Sequence, residues 1–211
     1  MESFKKNNKG FTLVELLIAM SIFVVFLGIL MNSYTSIIRS QREANDYRIM
    51  YSEARHVFET ITQELRNGMV DYNSYCSTSD KPNASGKESI RIIDKDGVGY
   101  RTITLDDPVD DEEVVRKIKY EVFDKHSLSV EDGYLNSDAV SVMDLRFDIY
   151  PYVDPYNNIY VEDSGYQFHP MVTVSATFKR ERNNKEPYVL TLQTTISSRI
   201  YNQVYKDDKC S

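Results

Sequence analysis

Lys5-Lys6-Asn7-Asn8-Lys9-Gly10-Phe11-Thr12-Leu13-Val14-Glu15-Leu16-Leu17-Ile18-Ala19-Met20 sets a basic leader, a Gly-Phe junction and one carboxylate at the head of an apolar run that continues to Met31. From Phe11 to Met31 the only charged side chain is Glu15. A run of about 20 apolar residues is long enough to cross a bilayer as a helix, so this segment is expected to span a membrane. Lys5, Lys6 and Lys9 precede it against a single acid, Glu2. Basic residues flanking a first span hold that end in the cytoplasm, which places the remaining chain outside. An ordinary secretory signal is cut after its apolar region, beside small residues. Nothing after Met31 has that character, and the junction that looks cleavable, Gly10 before Phe11, precedes the apolar run. A cut there leaves the apolar helix on the mature protein.

The stretch Lys9-Gly10-Phe11-Thr12-Leu13-Val14-Glu15-Leu16 resembles the prepilin leader of type IV pilins and of the pseudopilins of type II secretion. The resemblance implies cleavage after Gly10 and methylation of the new amino terminus at Phe11, both by a prepilin peptidase/methyltransferase. It further implies a single-pass protein of the cytoplasmic (inner) membrane whose globular part lies outside and which then enters a pilus or pseudopilus. The implied partners are other pilin or pseudopilin subunits, the inner-membrane assembly platform and the lipid bilayer. For Glu15 two readings stay open. An acid at mid-helix in hydrocarbon costs roughly 2.5 to 3.5 kcal/mol on insertion scales and is normally partnered, but Glu15 lies only four residues from Phe11 and can reach headgroups or water. The other reading, an assembly role in which Glu15 pairs with the free amino group of Phe11 on a neighbouring subunit, is also what the resemblance implies.

The resemblance extends to the kind of subunit. Long strands and sparse glycine are similar to the bulkier minor pseudopilins, the J type. The K-type tip subunit of that family lacks the carboxylate that this chain has at Glu15. Major pilins of the family usually carry a proline late in the span, near the place of Asn32 here. The expectation is a structural subunit, a minor pilin or pseudopilin, and not an enzyme. Two alternatives are the major pilin of an adhesive or motility fibre and an unprocessed single-span, membrane-anchored binding protein.

Beyond the span, Tyr47, Met50, Ala54, Val57, Phe58, Ile61 and Leu65 recur at three- and four-residue steps, one apolar stripe on a helix. Arg42, Glu43, Arg48, Glu53, Glu59 and Glu64 are expected opposite. One helix from Phe11 to near Asn67 would run roughly 85 Å at 1.5 Å per residue. Gly28 inside it reads as a site of close helix packing or of local melting. Strands are expected over 89–93, 100–105, 118–123, 140–150, 172–178 and 188–196. Val172, Val174, Ala176 and Phe178 alternate with polar residues, as a sheet with one buried face requires. Asn183-Asn184-Lys185 reads as a hairpin connection, with Pro187 at a strand's first residue. The fold class that follows is α+β, a long N-terminal helix packed on an antiparallel sheet. Four parts are expected: a leader at 1–10, the membrane half of the helix at 11–31, its exported amphipathic half at 32–68, and a β-rich globular domain at 69–211.

Chemistry-bearing motifs are few. His56, His126 and His169 stand far apart, with no metal-spaced pair. Asp94, Asp96 and Gly97 resemble a fragment of a calcium loop but lack its terminal glutamate. Asp106, Asp107, Asp110, Asp111, Glu112 and Glu113 form an acidic cluster. A hairpin turn and a solvated loop account for both, and no cofactor is expected, with calcium at 106–113 left open. Cys76 and Cys210, the only cysteines, would be exported. A disulfide suits that compartment, and two free thiols are the alternative. Tyr152 and Tyr156 lie in a tyrosine-dense stretch that reads either as cover for a sheet edge or as an interface. Net charge is −7, and loss of the leader, with three lysines and one glutamate, lowers it to −9. Phosphate backbones reward clustered cations, and Lys179, Arg180 and Arg182 are too small a patch, so nucleic acid is not an expected partner.

Overall fold

The computed structural model describes residues 10–75, 86–95, 97, 99–106, 115–124, 129–152, 169–182 and 185–200. The chain divides into two units, Met1–Asp46 and Tyr47–Ser211. Helix α1 (Leu13–Asn67) runs through both. Strands follow in the order β1 (Met69–Val70), β2 (Ser89–Ile93), β3 (Tyr100–Leu105), β4 (Ile118–Asp124), β5 (Ser129–Tyr134), β6 (Ser141–Tyr150), β7 (Met171–Arg182) and β8 (Lys185–Ser197). A 3-10 turn, Tyr72–Tyr75, follows β1.

The expected helix stripe is the one that packs. Met50, Ala54, Val57, Ile61 and Leu65 are buried in the second unit, with Phe58 against them. Two of the acids placed on the opposite side behave differently. Glu53 and Glu64 flank the stripe, half-buried. The Glu53 carboxylate accepts from the Ser137 N–H (3.3 Å) and hydroxyl (3.0 Å). Glu64 accepts from the Tyr120 hydroxyl (3.0 Å) and pairs with Arg101 (3.3 Å). Each sits one residue before a stripe position, Ala54 or Leu65, which at about 100° per residue is the border of the apolar face. The helix ends at Gly68, whose N–H donates to the Glu64 carbonyl at 2.9 Å. A Cβ there would lie 2.2 Å from the Ile92 Cγ2 atom. Glycine is required by this close approach of chain to chain.

All strand pairs are antiparallel. The single sheet expected from the alternation is two sheets, β1-β2-β3-β4-β5 and β6-β7-β8. They meet at a seam where Lys87 and Phe147 exchange backbone hydrogen bonds (3.0 and 2.8 Å) and the Val142 N–H donates to the Arg116 carbonyl. Asn136, buried at the same seam, accepts from the Ile118 N–H (2.8 Å) and donates to the Val140 carbonyl (2.7 Å). Alternation reports which face of a strand is buried and not which strand lies beside it. That is why the division was not legible. Ile90, Ile92, Ile103 and Ile118 from the first sheet and Leu145, Phe147, Ile149, Val174, Ala176 and Phe178 from the second share one core with the helix stripe. Phe58 tilts at 55° against Phe178 with centroids 6.3 Å apart.

Departures from the expected strands have local causes. β5 was not expected, because Ser129-Val130-Glu131-Asp132-Gly133-Tyr134 carries two adjacent acids and a glycine. It is held by its ladder to β4, from Asp124↔Ser129 to Lys119↔Tyr134. In β6 a bulge between Val142 and Asp144 shifts the register at Met143. Burial accordingly steps from Val142 to Leu145 and only then alternates through Phe147 and Ile149. The β7–β8 hairpin is present, with Arg182 opposite Lys185. Pro187 is the third residue of β8 and not the first. It lies on an edge strand opposite the irregularity between Arg180 and Arg182, a place where a missing N–H is tolerated.

Candidate functional site

Within the first unit, the sequence concentrates its unusual features at the start of α1. Thr12 precedes the first helical residue, Leu13, and Glu15 is the third. The Glu15 N–H donates to the Thr12 hydroxyl oxygen (3.3 Å), while the Glu15 carboxylate accepts from the Thr12 N–H (3.3 Å) and hydroxyl (3.4 Å). The Thr12 carbonyl takes the first intrahelical bond, from the Leu16 N–H at 3.2 Å. This is a capping box, in which the hydroxyl and the carboxylate satisfy backbone donors that the first turn leaves unpaired. The helix dipole also favours a negative charge in the first turn. Glu15 is therefore matched inside its own chain, a partner that the sequence reading missed. The Thr-x-x-Glu spacing at 12–15 was the signal that would have found it.

Gly10 and Phe11 stand just ahead of this cap, exposed, Phe11 at 86%. The segment behind them is built for an apolar surrounding. Every large apolar side chain from Phe11 to Met31 is at least 43% exposed, and α1 contains a window of mean hydropathy 2.8. Its hydroxyls are satisfied along the helix: Ser21 donates to the Leu17 carbonyl (2.8 Å) and Thr35 to the Met31 carbonyl (3.0 Å). That is the arrangement lipid demands of polar groups. No Cβ built on Gly28 meets an atom within 4 Å, so its side of the helix is open.

The remaining expectations fall elsewhere. Asp94 closes the β2–β3 turn. Its carbonyl accepts from the N–H of Gly97 (2.9 Å), which has φ of 65°, and its carboxylate is taken by Arg101 (3.3 Å). Asp106 accepts from the Tyr134 hydroxyl (3.2 Å). Among the described residues no three His, Cys, Asp or Glu side chains gather as metal ligands. Asp96, residues 107–113, Cys76, Cys210, Tyr156, Asn183, Asn184 and His126 lie outside the described residues. Tyr152 is half-exposed beside Tyr150, edge to face at 6.0 Å. Glu64, Arg101 and Tyr120 form a half-buried charged cluster at the border of the helix stripe. Burial, reinforced by the Glu64 carboxylate, pushes the Tyr120 hydroxyl up to about 12.

A capped, lipid-compatible helix joined to a packed α+β unit defines a membrane-anchored protein with a single N-terminal span. Residues 5–31 match the family model described as the prokaryotic N-terminal methylation motif. That is the segment on which the resemblance to prepilins rests, 27 residues at the start of the chain. No curated protein and no solved structure matches it significantly.

Proposed function

We propose that the protein is a minor pilin or pseudopilin, a subunit that waits in the cytoplasmic membrane with its second unit outside and then enters a type IV pilus or a type II secretion pseudopilus through α1. The observation that carries this reading is the coincidence at one helix start of the methylation motif at 5–31, the exposed Gly10-Phe11 junction and the Thr12–Glu15 cap. Cleavage after Gly10 creates an ammonium group on Phe11, one residue ahead of the cap. Glu15 then has two competing positive partners, the dipole of its own helix and the amino terminus of a neighbouring subunit. Exchange of the first for the second during assembly sets the axial register between packed helices.

The test is mass spectrometry of sheared filaments and of the remaining membranes, scoring abundance and the N-terminal peptide. A methylated Phe11 terminus, scarce in filaments or held mainly in membranes, is expected. High abundance in filaments makes the chain a major pilin. An intact Met1 terminus, in cells that process other prepilins, overturns the reading and leaves a membrane-anchored binding protein. In the same assay Glu15→Ala is expected to insert and be cleaved yet stay out of filaments.

A further inference from the structure

Both sheets of the second unit end on strands with one side open. Among the described residues β8 pairs only with β7, and β5 only with β4. Such edges present unpaired backbone donors and acceptors, and proteins usually cover or disarm them. Here the two edges carry opposite charge. Beside β8, between it and α1, runs a groove of about 500 Å³ whose walls include Tyr51, Phe58, Leu192 and the cations Arg55, Arg66 and Arg199. Among the described residues the only carboxylate lining it is Glu59, bonded to Arg55 at 2.7 Å. β5 has the reverse character. Glu131 and Asp132 are exposed on it, Asp132 lies directly opposite Glu121, and Asp106 stands beside Tyr134. One lysine, Lys119, serves both Glu121 (2.7 Å) and Asp132 (3.9 Å). Like charges paired directly across a ladder destabilise it. Val130 and Tyr134 on the same strand are 60% and 53% exposed.

We propose that the groove along β8 receives β5 of a second copy of this chain as an added strand, backbone to backbone, with the carboxylates of β5 beside Arg66 and Arg199. Strand addition supplies main-chain hydrogen bonds, and the flanking side chains supply selectivity. The complementary potentials fix which edges meet. Because the two surfaces differ, the contact is heterologous and repeats from copy to copy among subunits gathered in the membrane. The inference rests on the reading of the chain as a filament subunit and adds to it a contact outside the membrane helices.

The test uses the full chain in membranes with Cys76→Ser and Cys210→Ser, carrying Gln193→Cys in β8 and Val130→Cys in β5. Oxidation is expected to give disulfide-linked dimers and higher multimers only when both new cysteines are present. Arg66→Glu with Arg199→Glu is expected to lower the linked fraction about tenfold, the effect of roughly 1.4 kcal/mol, and Glu131→Lys with Asp132→Lys to restore it. Protease resistance of the second unit reports folding, and Val189→Cys with Tyr134→Cys, both exposed in the parent, is the substitute pair if the first loses it. Absence of multimers from a folded, paired-cysteine chain overturns the contact, as does linkage only to a different protein or linkage indifferent to charge reversal. The N-terminal peptide is scored in the same membranes. A processed Phe11 without multimers sinks this contact alone, whereas an intact Met1 sinks the filament reading whatever the disulfides show.

Discussion

At the scale of single residues, the Glu15 carboxylate is paired with Thr12 at the start of α1. In the isolated chain it closes a capping box. Replacing an N-cap threonine by alanine costs about 1 kcal/mol, so Thr12→Ala is expected to fray the first turn. Hydrogen exchange at the Leu13 to Leu16 amides, measured in detergent micelles, should rise about fivefold, and an unchanged rate would mean that the cap does not hold the helix start. Tyr75 and Tyr120 report on the second unit. Burial raises both hydroxyls to about 12 from an ordinary 10. A raised acid pKa means that the folded state prefers the neutral phenol. Its stabilisation is complete below pH 10 and is lost as pH climbs through 12. Thermal melts between pH 9 and 12 are expected to show falling stability, with a shallower fall in Tyr75→Phe. The same slope in both proteins would remove Tyr75 from the account.

At the scale of elements, α1 and its exit decide the packing of the second unit. Ile61 is wholly buried in the helix stripe, and truncation of such a side chain costs about 2 to 5 kcal/mol. Ile61→Ala should therefore lower the denaturation midpoint of the second unit sharply, while Gln63→Ala, exposed on the same turn, should not. Gly68 is a stricter position. Even one methyl group there meets Ile92 at 2.2 Å and the Ile93 carbonyl at 3.0 Å. Overpacking of this kind costs about 1 to 3 kcal/mol, and Gly68→Ala is expected to lose that much in the same denaturation experiment. Equal midpoints for Gly68→Ala and the parent would show that β2 can move aside. Ser198, whose buried hydroxyl donates to the Gly68 carbonyl at 2.9 Å, fastens the end of β8 to the same corner.

At the scale of the whole molecule, the two units differ in what their surfaces expose. Exposed apolar side chains from Phe11 to Met31 need lipid or other helices. The second unit buries its own core and carries its charges outward. This contrast was legible early. The absence of charge other than Glu15 across the apolar run gave the span, the three- and four-residue spacing gave the stripe that buries Met50 through Leu65, and period-two alternation gave β7 with its buried Val172, Val174, Ala176 and Phe178. Each of these signals is local, carried by one segment and its own periodicity. The prepilin-like leader was legible for the same reason, because a peptidase also reads a short contiguous stretch.

What only the tertiary structure decided depends on residues far apart in the chain. Division into two sheets turns on Lys87 meeting Phe147 and on Asn136 joining Ile118 to Val140. The existence of β5 turns on its ladder to β4, since its own acids and glycine argue against a strand. Glu53 and Glu64 became partners of Ser137, Tyr120 and Arg101 because the stripe's borders touch both sheets. Sequence by itself determined the helix, its apolar half and the buried faces, since hydrophobic period and length suffice for those. Strand neighbours, edge strands and the charged groove beside β8 were decided by the tertiary structure, because pairing energy lies between segments and no single segment records it.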